Sequence, residues 1–257
     1  MLNFARYKNN ALMKILVCIS HVPDTTSKIN FSADQKEFSS AGIQFVINPY
    51  DEIALTRALE LSEASAGTVT VINVGDATTE ATLRKALAIG ATDAVRIDAA
   101  PRDAYFTAVQ IANYAKDQSF DLILTGRESI DYNGAQLCGM LGELLSMPSV
   151  SVCKKLDLNG NDATLEREIE GGKEILTCSL PMCISASEGM AEPRIPNMRG
   201  IMGARSKPLN VVAAVAADEL SKVQSYDKPK PRGQVKLIEA EKATELIDLL
   251  HNEAKVI

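Results

Sequence analysis

Asp121-Leu122-Ile123-Leu124-Thr125-Gly126-Arg127-Glu128-Ser129-Ile130-Asp131-Tyr132-Asn133-Gly134-Ala135-Gln136-Leu137 is the stretch on which the reading of the fold turns. The apolar run ending at Gly126 reads as a strand buried on both faces, and residues 135–145 read as the helix that follows. The connection between them is longer than the usual ~2–6 residues. In an open α/β sheet, ligands bind beyond the carboxyl ends of the strands, where such turns lie. Backbone N–H groups and the positive end of a helix would there face an anion such as a nucleotide phosphate. Neither G-x-G-x-x-G nor G-x-x-x-x-G-K-[ST] occurs in the stretch, so it is neither a dinucleotide fingerprint nor a Walker loop. The plain alternative is an ordinary strand-to-helix connection.

The same alternation extends towards both termini. Residues 14–20 form a β-branched, apolar first strand; residues 68–74 and 94–97 form two more. Helices are expected over 79–89 and 105–116, and after Asn48-Pro49, where Asn caps and Pro suits the first turn. Strands too apolar to face water, alternating with helices, mean a parallel sheet covered on both faces. From Ser149 the pattern changes to a β-hairpin, residues 150–158 and 163–169 around Asn159-Gly160-Asn161-Asp162, followed by a strand over 175–180. Residues 182–185 fit a further strand of the main sheet. Beyond Lys207 the chain reads as a poorly patterned arm with the extended linker Lys228-Pro-Lys-Pro-Arg232, closed by an amphipathic helix over 239–255. Domain organisation follows: residues 1–12 a disordered extension or over-called start, 13–207 the α/β domain, 208–257 the arm.

Composition narrows the function. With 257 residues the chain can bury a full core, and a net charge of −6 without a Lys/Arg tract argues against nucleic acid. No apolar run reaches the ~20 residues that span a bilayer, so no direct membrane insertion is expected. The five cysteines are scattered through apolar stretches, as reduced thiols of a cytosol-like compartment are. The location is read as cytoplasmic, with the mitochondrial matrix as alternative. The two histidines, His21 and His251, offer no Ser/His/Asp or Cys/His constellation, so no catalytic residue is assigned. Asp24, Asp51 and Asp131 are expected near the sheet's carboxyl end.

A second informative stretch is Glu192-Pro193-Arg194-Ile195-Pro196-Asn197-Met198-Arg199-Gly200-Ile201-Met202-Gly203-Ala204-Arg205. Its prolines and glycines argue against a regular helix or strand, yet it carries Ile195, Met198, Ile201 and Met202 beside Arg199 and Arg205. Apolar and basic side chains on a broken surface segment suggest a docking surface. The bland reading folds those apolar residues into the core.

The chain resembles the β-subunits of electron-transfer flavoproteins. The resemblance runs from Met13 to the C-terminus and rests on Val22-Pro-Asp-Thr25, Asn48-Pro-Tyr-Asp-Glu-Ile-Ala-Leu55, Leu83-Arg-Lys-Ala-Leu-Ala-Ile-Gly-Ala91, residues 126–136, Arg167-Glu-Ile-Glu-Gly-Gly-Lys-Glu174 and Arg199-Gly-Ile-Met-Gly-Ala-Arg205. It implies an adenine-nucleotide α-hydrolase-like fold and a heterodimer with a flavin-bearing α-subunit that the arm embraces. It also implies an electron carrier, not an enzyme, passing electrons from flavin dehydrogenases, such as those of fatty-acid β-oxidation, to a membrane quinone oxidoreductase. FAD would be held mainly by the α-subunit. A structural AMP would sit in this chain against Cys18, Asn48, Pro49, Tyr50, Asp51, Val74 and residues Gly126, Arg127, Glu128, Ser129, Ile130, Asp131, Tyr132, Asn133, Gly134, Ala135, Gln136 and Leu137. Docking would fall to Ile195, Met198, Arg199, Ile201 and Arg205, with Met198 as the anchor.

Departures from the family pattern bear on the nucleotide. Ala135 and Leu137 flank Gln136 where AMP-binding relatives commonly have Asn and Thr, so backbone groups must do more of the binding. That feature and Val22-Pro-Asp-Thr25 lean towards bifurcating members, which hold a second FAD in place of AMP. Tyr132 stands where those members usually have Gly and favours AMP, and Thr25 replaces an aromatic found near the flavin in some members. A stand-alone nucleotide-hydrolysing or stress-type protein of the same fold is the reading from a different class.

Overall fold

The computed structural model describes residues 12–231, 233 and 235–257. The extension expected over residues 1–12 lies outside these except for Leu12, as does Arg232 of the linker. The chain divides into two compact units, one within Met1–Asn30 and Ser39–Val223, the other Phe31–Phe38 with Gln224–Ile257.

The larger unit is built on a nine-stranded sheet. In chain order the strands and helices begin with β1 (Lys14–Cys18), followed by the short β2 (His21–Pro23), β3 (Asn30–Phe31), β4 (Phe38–Ser39) and β5 (Phe45–Ile47). Then come α1 (Pro49–Ser65), β6 (Thr68–Gly75), α2 (Glu80–Ile89), β7 (Asp93–Asp98), α3 (Ala104–Ala115), β8 (Leu122–Gly126) and α4 (Leu137–Leu145). The hairpin strands β9 (Ser149–Asn159), β10 (Asp162–Ile169) and β11 (Gly172–Ser179) precede β12 (Met182–Ala186), α5 (Met198–Ala204) and β13 (Leu209–Ala213). Strand order is β11-β10-β9-β12-β8-β1-β6-β7-β13. All pairs from β9 through β12 to β13 are parallel, and β9-β10-β11 is antiparallel.

The chain leaves β1 towards β6 and β7, then returns to the other side of β1 for β8 and β12, so strand order reverses at β1. In an open α/β sheet such a reversal is where a ligand crevice lies, here at the carboxyl ends of β1 and β8. Period-2 alternation sorts the core into two layers. Ile15 and Val17 pack with Leu55, Leu59, Leu83 and Leu87 of α1 and α2, while Leu16 and Cys18 pack with Ile111 of α3 and Leu141 of α4.

Several expectations need correction. The stretch 192–205, read as free of regular structure, contains α5, because Asn197 caps it: its Oδ1 accepts the Gly200 N–H at 2.8 Å. Gly200 does not break the helix; it lets α5 approach α2, since a Cβ there would run into the Ala88 carbonyl. Helix α4 starts two residues later than expected, because Ala135 takes a left-handed φ of 51°. Beyond Lys207 the chain is not all arm, since β13 joins the sheet edge against β7. In the smaller unit, the Tyr226 ring stacks on Phe31 with centroids 4.8 Å apart, and Tyr226 N donates to Gln35 O. The helix expected over 239–255 is broken into a 3-10 turn (Ala240–Lys242), α6 (Ala243–Asp248) and a π turn (Leu249–Ala254). It lacks the buried face that sustains most regular helices.

After β13, two side chains of α3 hold the extended backbone. Buried Gln110 mimics a strand: its Nε2 donates to Val215 O and its Oε1 accepts from Val215 N, both at 2.8 Å. Asp103 caps α3 through Phe106 N (2.7 Å) with one oxygen and binds the N–H groups of Leu220 and Ser221 (2.7 and 2.8 Å) with the other. These donors hold its carboxyl below the ordinary carboxylate value against the opposing cost of burial. Asp103→Ser keeps a capping oxygen and loses the reach to residues 220 and 221. Amide exchange should therefore quicken at residues 218–223 while α3 stays protected. Asp103→Ala should also cost about 1 kcal/mol of stability through the lost cap. Unchanged exchange at 218–223 in both variants contradicts the assignment.

Candidate functional site

The crevice is built by two residues at the head of α1. Pro49 opens the helix, and Asn48, instead of capping it, turns its side chain outwards to the loop after β8. Its Nδ2 donates to Glu128 O at 2.8 Å and its Oδ1 accepts from Ile130 N at 3.2 Å. Asp51 lies buried one turn on. Its Oδ2 accepts from Ser20 N at 2.7 Å and its Oδ1 from Gly126 N at 2.9 Å, so one carboxyl bridges the ends of β1 and β8. Gly126 has to be glycine for this, because a Cβ would collide with Asp51 Oδ1 and Tyr50 Cβ. The polar atoms of Asn48 and Asp51 are thus committed to the chain itself. Both residues, expected as nucleotide contacts, act in the structure as shapers of the loop.

Beyond Gly126, Arg127 N continues the ladder to Ala186 O, and Asn133 N closes a turn on Ser129 O at 2.8 Å. Asn133 and Ala135 both adopt φ of 51°, which Asn tolerates and Ala does not favour. The chain then enters α4 with no side chain capping its first N–H groups and no acidic residue in its first turn. Those amides have no intrahelical partners, and the dipole favours an anion before them. Residues Asp131, Tyr132, Asn133, Gly134, Ala135 and Gln136 are exposed, Tyr132 at 66 %. Arg127 lies over the Tyr50 ring, 5.2 Å from its centroid, and 3.5 Å from Glu128. Cys18 ends β1 and Val74 precedes Gly75 at the end of β6, both with buried side chains.

Other sequence candidates disperse. Asp24 is half-buried and binds Thr26 locally. Asp131 is exposed on the loop, away from Asp51's buried position. His21 belongs to β2. It stacks on Phe45 at 4.3 Å and contacts Thr82 Oγ1, and burial lowers its pKa. Burial pushes the thiols of Cys138, Cys153 and Cys183 up to about 12. Among the described residues no group of three or more His, Cys, Asp or Glu could hold a metal, and no helix is long and apolar enough to cross a membrane. Asn73 escaped the sequence reading. A polar residue inside an apolar strand was its signal, and its Nδ2 holds Ile19 O at the end of β1.

The docking stretch shows its apolar residues to solvent: Ile195 is 90 % exposed, Met198 73 %, Met202 69 % and Ile201 43 %. The bland reading, burial in the core, is excluded for these four. Arg194 is not a free rim charge, because its guanidinium grips Glu63 with two bonds of 2.6 and 3.0 Å. Behind the ridge lies a groove of ≈ 570 Å³ lined by Glu63, Ile89, Arg194, Ile195, Arg199 and Lys207.

Burial is the leading influence on Asp51, and it pushes the carboxyl up to about 7 against the pull of its donors. A carboxyl with a higher pKa folded than unfolded binds more protons in the folded state. Stability should therefore fall as pH rises from about 4 to about 7, at up to about 1.4 kcal/mol per pH unit. Asp51→Asn removes this titration, at the cost of setting an amide NH2 against a backbone N–H. Denaturant titrations across this range should give a flatter pH profile for Asp51→Asn; parallel profiles would contradict the assignment.

A family model described as "Electron transfer flavoprotein domain" matches residues 37–217. The chain is similar to the electron transfer flavoprotein subunit beta of Bacillus subtilis, 37% identical over 95% of this chain and 100% of that protein. The corresponding subunit of Syntrophomonas wolfei is 33% identical over 95% of this chain and 98% of its own length. The mitochondrial subunit of Oryza sativa subsp. indica is also 33% identical, over 95% and 100%. With the parallel sheet, the crevice at β1 and the exposed ridge already in place, these similarities establish that the chain belongs to the electron transfer flavoprotein family, among its β-subunits.

Proposed function

We propose that this chain, paired with a flavin-bearing α-subunit, carries electrons from flavin dehydrogenases such as acyl-CoA dehydrogenases to a membrane quinone oxidoreductase, and that it holds a structural AMP. The FAD held mainly by the α-subunit supplies the redox chemistry, and this chain contributes docking and support, not catalysis. The observation that carries the reading is the pairing, in one chain, of an uncapped crevice with a solvent-facing apolar ridge. A stand-alone nucleotide hydrolase needs no such ridge, and exposed apolar patches of this kind mark interaction surfaces.

The crevice suits a phosphate. Asn48 sets the loop, Gly126 keeps its start open, and the uncapped, acid-free start of α4 faces the anion. Backbone groups do most of the holding, as Ala135 and Leu137 beside Gln136 require. A bulky ring at Tyr132, where a bifurcating member usually has Gly, would crowd a second isoalloxazine and supports AMP over a second FAD. Nucleotides released by denaturing the heterodimer should be one FAD and one AMP. Two FAD without AMP would instead support the bifurcating type. Because the nucleotide binds only folded protein, stripping it should lower the melting temperature.

On the ridge, Ile195 stands further out than Met198, so both are anchors to test. Ile195→Ala and Met198→Ala should each weaken dehydrogenase docking by about 1–3 kcal/mol, the range for a truncated anchor. Flavin content and chemical reduction of the flavin should stay normal. Normal docking by both variants would remove the ridge from the account.

A further inference from the structure

The family signature Leu83-Arg-Lys-Ala-Leu-Ala-Ile-Gly-Ala91 has no place in the crevice, although it lies within α2 and its C-terminal turn. Its contacts run to α5. Arg84 Nη1 donates to the carbonyls of Ala204 and Lys207 at 2.8 and 2.7 Å, satisfying the C-terminal end of α5. In return, Lys207 Nζ donates to the carbonyls of Leu87 and Ala91 at 2.9 and 2.6 Å, satisfying the end of α2. One carbonyl at the end of each helix, Ala204 O of α5 and Leu87 O of α2, and one just beyond it thus accept from a cation, Arg84 of α2 or Lys207 after α5, where a cation also suits the dipole. The lock is tight because Gly200 brings α5 onto the Ala88 carbonyl. The N-terminal end is held as well: Asn197 caps α5, and Arg194 N donates to Thr56 Oγ1 of α1.

We infer that Arg84 and Lys207 are positioning residues, and that their reciprocal capping mounts α5 rigidly on α2 so that Ile195, Met198 and Met202 meet the dehydrogenase preorganised. This rests on the docking reading of the ridge given above. A seven-residue helix is too short to persist in water by itself. Without the lock its apolar side chains would sample many arrangements, and a partner would bind only the fraction in the mounted one. Apparent affinity falls in proportion to that fraction, so a helix mounted about one tenth of the time docks about tenfold more weakly. Neither Arg84 nor Lys207 need touch the partner for this to hold.

The test uses the assembled heterodimer carrying Arg84→Met or Arg84→Lys. Three readouts are taken: amide exchange over residues 197–207, the KM for the carrier in reduction by an acyl-CoA dehydrogenase with its substrate, and the rate of reduction by dithionite. Arg84→Met should quicken exchange in α5 and raise the KM about tenfold, with dithionite reduction unchanged. Arg84→Lys keeps a cation able to reach the carbonyls and should restore much of both. If Arg84→Met does not assemble, Gly200→Ala pushes α5 off the Ala88 carbonyl and should give the same pair of changes. Faster exchange with an unchanged KM overturns the inference while leaving the ridge in place, provided Ile195→Ala and Met198→Ala raise the KM. If those two leave the KM unchanged, the docking reading itself fails and the inference with it.

Discussion

The carboxyl of Asp51, wedged between Ser20 N and Gly126 N, is the contact on which the site's geometry depends. It ties the first strand to a strand more than a hundred residues later, at the point where strand order reverses. Burying a carboxylate is costly unless its oxygens are satisfied. Here both accept backbone N–H groups that would otherwise end their strands unpaired. Asn48, one turn earlier, extends the same grip to Glu128 and Ile130. The head of a single helix therefore decides where the loop begins and how its first residues turn. Substrate-independent scaffolding of this kind suits a nucleotide that is retained and not turned over.

The proposed electron-transfer role asks for two further surfaces, and the candidates for them lie on elements other than those of the crevice. The ridge stands on α5, held by α2 and the end of α1. The extended chain after β13 is held by Gln110 and Asp103 of α3. In each case backbone that belongs to no regular ladder is fixed by side chains of a neighbouring helix. Exposed apolar side chains on such fixed backbone bind with less ordering cost than the same side chains on free chain.

How much of this could be read from sequence depended on whether a signal was local. The buried parallel strands were legible because β-branched apolar runs admit few other readings, and the crevice followed from the strand-to-helix connection after Gly126. Asn48 and Asp51 were read as nucleotide contacts; the bonds that make them loop shapers span tens of residues, so that work was not legible. In α5, glycine counted as a breaker, because nothing in sequence shows the Ala88 carbonyl that makes Gly200 necessary. Asn197 following Pro196 was a usable cap signal that the glycines outweighed. Residues 209–213 were passed over because a short edge strand carries little alternation. The start of α4 moved because a left-handed alanine leaves no mark in composition.

The most direct measurement is the nucleotide retained by a heterodimer carrying Asn48→Ala. Asn48 touches the loop and shapes it, so its loss should release the loop without disturbing the sheet. The account predicts a folded heterodimer with its flavin in place and the crevice nucleotide lost on purification. A variant that keeps a full equivalent of that nucleotide, with unchanged affinity, would show that the grip of Asn48 on Glu128 and Ile130 does not build the site.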